Sequence, residues 1–138
     1  MIGPQRYLLT GATGFVGGVL ARQLRAEGHD VVALVRRKVP QLSALGVDQR
    51  PGDITDRDSV RAATAGVDGL FHVAAWYKVG SPDRREAERV NVHGTRIVLE
   101  VMRDAGIAKG VYTSTLAVHG DTRGRVVDET YRTTGPFA

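Results

Sequence analysis

The residues of this chain best suited to chemistry are its glycines. Thr10-Gly11-Ala12-Thr13-Gly14-Phe15-Val16-Gly17-Gly18 lies between a short apolar run, Tyr7-Leu8-Leu9, and an apolar-periodic segment that begins at Phe15. In that setting Gly11 lets the chain reverse, Gly14 leaves no Cβ between backbone and ligand, and Gly17 lets a helix pack closely on a sheet. Backbone N–H groups at the helix start, together with the positive end of the helix dipole, make a site for a diphosphate. A glycine triplet alone specifies little. Here a strand precedes it and an amphipathic helix follows, which is the context a dinucleotide site requires. The Lys-Ser/Thr pair of an ATPase phosphate loop is absent, so a dinucleotide is the better reading.

A second group of candidates follows Val31-Val32-Ala33-Leu34-Val35, which reads as a strand covered on both faces. In a dinucleotide fold the end of this strand lies beside the adenosine ribose, where an acid accepts from a 2′-hydroxyl and an arginine suits a 2′-phosphate. Arg36, Arg37 and Lys38 stand there, and no acid. The expected cofactor is therefore NADP rather than NAD, with Arg36, joined by Arg37 or Lys38, on the phosphate. The other reading of the same run is a solvated basic loop. Further along, Ala74 and Ala75 end a fourth strand, and such small residues let a flat nicotinamide or its ribose approach the backbone. His72, inside the apolar run, reads as a hydrogen-bonded core residue. Trp76 and Tyr77 read equally well as loop-to-core anchors or as the wall of a substrate pocket.

These residues need a frame of alternating strands and helices. Phe15, Val16, Val19, Leu20 and Leu24 recur at helical spacing with Arg22 and Arg25 on the other face, and Gly28 ends that helix. Val47-Asp48-Gln49-Arg50 is at best a short strand, and Pro51 assigns it to a sheet edge. Gly52-Asp53-Ile54 precedes a helix that starts at Thr55 or Asp56 and runs toward Ala65 with Val60 and Ala63 inward; Asp53 taken alone is a turn residue. Residues 70–74 form the fourth strand. Ser81-Pro82 reads as a helix cap followed by a first-turn proline. The helix it starts runs to about Asp104 on a stripe of Ala87, Val90, Gly94, Ile97, Val98, Val101, Met102 and Ala105, closed by Gly106. Val111-Tyr112-Thr113 makes the fifth strand, and beyond Gly120 the chain turns polar. The pattern predicts an α/β fold of three layers, a doubly wound parallel sheet of Rossmann type in the order 3-2-1-4-5. Residues 1–120 form the dinucleotide-binding domain and 121–138 a polar loop.

Composition narrows the function classes. The 138 residues carry a net charge of +4, with 42% hydrophobic and 25% charged residues, as in an ordinary globular domain. Lys and Arg are scattered, with only Arg36-Arg37-Lys38 forming a run, which argues against nucleic acid. There are no cysteines, so disulfides, thiolate nucleophiles and zinc–thiolate sites are excluded together. No apolar run approaches the roughly 20 residues needed to cross a bilayer. The first residues run almost directly into a strand, so no signal peptide is expected and the expected compartment is the cytoplasm.

Several segments together resemble the extended short-chain dehydrogenase/reductase family, also called the NAD-dependent epimerase/dehydratase family. The glycine segment looks like its cofactor fingerprint, Gly52-Asp53-Ile54 like its adenine-contacting segment, and His72-Val73-Ala74-Ala75 like its fourth-strand motif. Asn91-Val92-His93-Gly94-Thr95 resembles its central-helix motif, and Tyr112-Thr113-Ser114-Thr115-Leu116-Ala117-Val118-His119-Gly120 the segment carrying its catalytic serine or threonine. The motifs span almost the whole chain in the expected order.

The resemblance implies that Gly11, Gly14 and Gly17, with Thr13, Phe15 and Val16 among them, surround the diphosphate, and that Asp53 and Ile54 hold the adenine. It implies that Ala74 and Ala75 lie along the nicotinamide, that Thr113 joins the cofactor set, and that Thr115 hydrogen-bonds the substrate's reacting oxygen. Asn91 is structural in this family. His119 stands where a tyrosine is usual. The Arg36 run resembles the reductase branch, such as dihydroflavonol reductase-like proteins, while the segment from Ala75 to Pro82 is similar to sugar epimerases. The family's general acid/base is the tyrosine of a Tyr-x-x-x-Lys motif. Tyr112 and Tyr131 are followed at that spacing by Leu116 and Gly135, so the motif is expected beyond Ala138.

The expected function is the cofactor-binding portion of an NADP-dependent oxidoreductase or epimerase acting on a carbonyl or carbinol. Its partners would be a dinucleotide, a small-molecule substrate in the full-length protein, and a second copy in a homodimer. One rival is a non-catalytic NADP-binding redox sensor acting through a protein partner. Another is a fragment that associates through an open sheet edge.

Overall fold

Unbroken runs of apolar β-formers must be covered on both faces, and the computed structural model satisfies that demand with two apolar layers around one sheet. Strands β1 (Arg6–Thr10), β2 (Asp30–Val35), β3 (Asp48–Pro51), β4 (Gly69–His72) and β5 (Lys109–Tyr112) pair in parallel in the order β3-β2-β1-β4-β5. The structure describes residues 3–77 and 84–133. The expected Ser81-Pro82 cap lies outside them. In the central strand Leu8 stands between Val32 of β2 and Leu70 of β4, and the next residue, Leu9, between Ala33 and Phe71.

Because side chains alternate along a strand, this register sorts the core into two faces. Leu8, Val32, Leu34 and Leu70 pack with Val60 and Ala63 of α3 (Arg57–Ala63) and Val98 and Val101 of α5 (Thr95–Asp104). Leu9, Val31, Ala33 and Val35 pack on the opposite face with Ala21 and Leu24 of α1 (Phe15–Ala26) and Leu42 of α2 (Pro40–Ala44). Each fully buried leucine or valine in these layers contributes about 1.5–3 kcal/mol.

The structure departs from the sequence pattern in α1. Its buried face is Gly17, Ala21 and Leu24, whereas Phe15, Val16 and Val19 are exposed. The close approach of Gly17 turns the small residues to the sheet, so the first turn projects its large apolar side chains outward. Arg25, expected on the outer face, folds back to donate to Leu45 O (3.1 Å) and His29 O (2.7 Å) and ties α1 to the end of α2. The single-turn helix α2 was not expected, since one buried leucine is too little to establish a period.

The long helix begins as α4 (Arg84–Ala87), opens into a π-helical stretch (Glu88–Gly94) and continues as α5. Of the expected stripe, Gly94, Val98 and Val101 are buried and Ala105 is exposed. Strand β5 begins at Lys109, earlier than expected, and all its residues are exposed. Pro51 ends the edge strand β3, where a missing donor is tolerated. Residues 121–133 contain no helix or strand.

Candidate cofactor-binding cleft

The glycine turn is wedged between β4 and α1. A Cβ on Gly11, whose φ is +78°, would lie 2.7 Å from Ala74 N, and one on Gly17 would lie 2.1 Å from Gly11 O. Neither neighbour can yield, because both are backbone. Gly14 N donates to Gly11 O (3.0 Å) and closes the turn. Gly14 is also the N-cap of α1, with no side-chain cap and no acid in the first turn. The leading N–H groups of α1 therefore have no intrahelical acceptor and no competing carboxylate. Uncapped donors beside a turn whose Gly11 and Gly14 carry no Cβ suit the oxygens of a diphosphate.

Behind the turn, one buried network holds β1 and β4 in place. Thr10 Oγ1 accepts from Val73 N and Ala74 N, both at 3.2 Å, so its single hydrogen points to His72 Nδ1 at 2.6 Å. That leaves the imidazole proton on Nε2, donated to Thr95 Oγ1 at 2.9 Å. His72 is 1% exposed, and burial pushes its pKa down to about 4. It is the hydrogen-bonded core residue expected from its place in an apolar strand.

The cleft above this network has a volume of about 400 Å³. Gly11, Thr13, Gly14, Phe15, Val16 and Gly17 line it from the turn, Arg36 from the end of β2, Asp53 and Ile54 from the segment after β3, and Ala74 and Ala75 from the end of β4. Arg37, Thr113 and Thr115 are not part of its wall. Thr113 N donates to His72 O (3.0 Å), extending the β4–β5 ladder. Thr115 caps the 3₁₀ turn Leu116–His119, its Oγ1 accepting from Ala117 N at 3.2 Å. Trp76 and Tyr77 belong to the wall, and Tyr77 is exposed rather than anchored in the core.

Asn91, in the π-helical stretch, accepts from Trp76 N (2.7 Å) and donates to Trp76 O (2.9 Å), so the helix grips this wall by its backbone. Ile54 lines the cleft and also packs against Gly94, where a Cβ would meet Ile54 Cδ1 at 2.8 Å. Partial burial works to raise the Asp53 carboxyl pKa. Hydrogen bonds from Thr55 and the charges of Arg89 and Arg36 outweigh it, and the group sits below its ordinary value.

Glu86 and Arg89 also line the cleft, and sequence reasoning did not single them out. Their spacing marks an ordinary helical ion pair. Only the packing of the long helix beside residues 52–55 makes it part of a site.

The match of a family model, NAD dependent epimerase/dehydratase, runs over residues 7–138. The chain is 43% identical over 115 residues to sterol demethylase protein B of Methylococcus capsulatus, covering 82% of this chain and 35% of that protein. It is 42% identical over 117 residues to 2-alkyl-3-oxoalkanoate reductase of Stenotrophomonas maltophilia, covering 82% of this chain and 34% of the relative. Its fold superposes on the Thermus thermophilus UDP-glucose 4-epimerase complex with NAD at a TM-score of 0.78 and 31% identity, over 91% of this chain and 43% of that one. The chain thus spans about a third of the length of these curated relatives, 35% and 34%. Among the described residues, no helix is long and apolar enough to cross a membrane. With the family match running from β1 to the last residue, this chain belongs to the NAD dependent epimerase/dehydratase family.

Proposed function

We propose that this chain is the dinucleotide-binding part of an oxidoreductase or epimerase acting on a carbonyl or carbinol carbon, and that it takes NADP in preference to NAD. The observation that carries the reading is one cleft lined both by the uncapped start of α1 and by Arg36. Gly11, Thr13, Gly14, Phe15, Val16 and Gly17 surround the diphosphate. Asp53 and Ile54 hold the adenine, Ala74 and Ala75 lie along the nicotinamide side, and Thr113 joins the cofactor set. Arg36, aided by Arg37, meets the 2′-phosphate. Among the described residues Arg36 has no hydrogen-bond or ion-pair partner, which leaves its fork open to an anion. The NAD complex of the Thermus epimerase supports the dinucleotide and leaves the choice between NAD and NADP to this arginine.

When bound, the dinucleotide supplies hydride exchange with the substrate carbon. The residues of this chain bind and orient it, and in the whole protein Thr115 hydrogen-bonds the substrate oxygen. Titration with NADPH and with NADH, followed by heat and by the fluorescence of Trp76, the only tryptophan, tests the proposal. Saturation by NADPH with at least about tenfold weaker NADH binding, a gap of about 1.4 kcal/mol, is expected. Equal affinities would overturn the NADP assignment, and no binding of either would overturn the dinucleotide reading for this chain.

A further inference from the structure

The two arginines of the cleft are in opposite chemical states. Arg36 offers an open fork. Arg89 has every nitrogen engaged: Nε and Nη2 donate to the two carboxylate oxygens of Glu86 (2.9 and 2.7 Å), and Nη1 donates to Thr55 Oγ1 (2.8 Å). Thr55 passes the polarity on, its Oγ1 donating to Asp53 Oδ1 (2.7 Å) while its N–H donates to the same oxygen (2.9 Å). A chain of hydrogen bonds thus runs from the long helix across the cleft wall to the segment after β3.

Guanidinium N–H bonds lie in the plane of the group. With a donor on each nitrogen committed and the charge matched by Glu86, Arg89 is a poor phosphate ligand. Besides one N–H left on each of Nη1 and Nη2, it retains for a ligand its flat face. The side chain is about half exposed, at 49%, and lines the cleft, while Glu86 and Thr55 fix the orientation of the plane from two separate elements. A fixed, flat, polarisable cation in a cleft wall is a surface for an aromatic ring.

We propose that the guanidinium face of Arg89, held by Glu86 and Thr55, is a stacking platform for the purine ring of the cofactor, and that it sets affinity for the base independently of the ribose phosphate. The inference rests on the dinucleotide reading above. It assigns separate duties to the two arginines, with Arg36 reading the 2′-phosphate and Arg89 the ring.

The test is a titration of the full chain and its Arg89→Lys, Glu86→Gln and Arg36→Ala variants with NADPH, NADH and ADP, beside thermal melts of each variant. Lysine keeps the charge and loses the plane. Arg89→Lys is expected to weaken NADPH, NADH and ADP alike by about tenfold, the scale of one base-stacking contact, with the NADPH-to-NADH ratio unchanged. Glu86→Gln frees the fork and is expected to give a smaller loss of the same pattern, which keeps the test decisive if Arg89→Lys fails to fold. Arg36→Ala is expected to change the ratio and leave ADP unaffected. Wild-type affinity in both Arg89→Lys and Glu86→Gln, or a loss confined to NADPH, would overturn the stacking role alone. Failure of the wild-type chain to bind any of the three probes would overturn the cofactor reading and this inference with it.

Discussion

His72 shows how far one buried residue can organise a site. Its ring joins Thr10 to Thr95, and Thr10 in turn holds the amides of Val73 and Ala74 on the cleft wall. A second proton on the imidazole would find Thr10 Oγ1 already accepting from two amides, so the folded protein keeps the ring neutral. The folded pKa, about 4, lies below the ordinary 6.5. Between these values the unfolded chain binds the extra proton and the folded chain does not. Stability from this source is full above pH 6.5 and is lost as the pH falls toward 4. Between pH 6.5 and 5 the expected loss is about 2 kcal/mol. Urea midpoints measured across that window should fall with pH in the wild type and flatten in a His72→Gln variant. A wild-type midpoint that stayed constant would contradict the assigned network. The core role of His72 was legible from its place in an apolar strand, whereas its two threonine partners, far apart in sequence, were not.

The elements that frame the cleft are short, and side chains from elsewhere hold their ends. Helix α3 is capped at its start by Asp56, which accepts from Asp58 N, and at its end by Arg50 of β3, whose Nη1 donates to the carbonyls of Ala62, Ala63 and Ala65. A cation on the exposed carbonyls of a helix C-terminus satisfies orphan acceptors and opposes the dipole. Arg50→Ala is therefore expected to cost about 1–2 kcal/mol of stability, read from denaturant midpoints. A midpoint like that of the wild type would show that water replaces the arginine without loss. The beginning of α3, expected at Thr55 or Asp56, was legible, but its C-terminal clamp was not, since nothing local links Arg50 to a helix end. The π-helical stretch was equally hidden. Its wider turn suits a helix that must present Asn91 to the Trp76 backbone while keeping Gly94 against Ile54.

At the scale of the molecule, the sheet is protected unevenly. At one edge β3 is short and ends in proline, and at the other β5 exposes every residue, Val111 and Tyr112 among them. An exposed apolar edge strand is a template for pairing with another chain. The purified chain is expected to associate with rising concentration, and Val111→Lys to suppress that association by placing a charge on the edge. Sedimentation velocity over a concentration series reads both. A chain that stays monomeric throughout would show that β5 is protected in some other way.

The sequence by itself determined the α/β class and the glycine turn, because both rest on local preferences, and the order 3-2-1-4-5 followed from the doubly wound fold type that this pattern marks. Alternation, helical spacing and the demands of a tight turn are all written within a few residues. Tertiary structure alone decided which face of α1 is buried, that Thr115 caps a turn outside the cleft wall, and that Glu86 and Arg89 join Thr55 and Asp53 in one network. Arg89 and Thr55 are 34 residues apart, and Thr10 and His72 are 62 apart. Contacts of that separation are made by the packing of helices onto a shared sheet, and no local pattern encodes them.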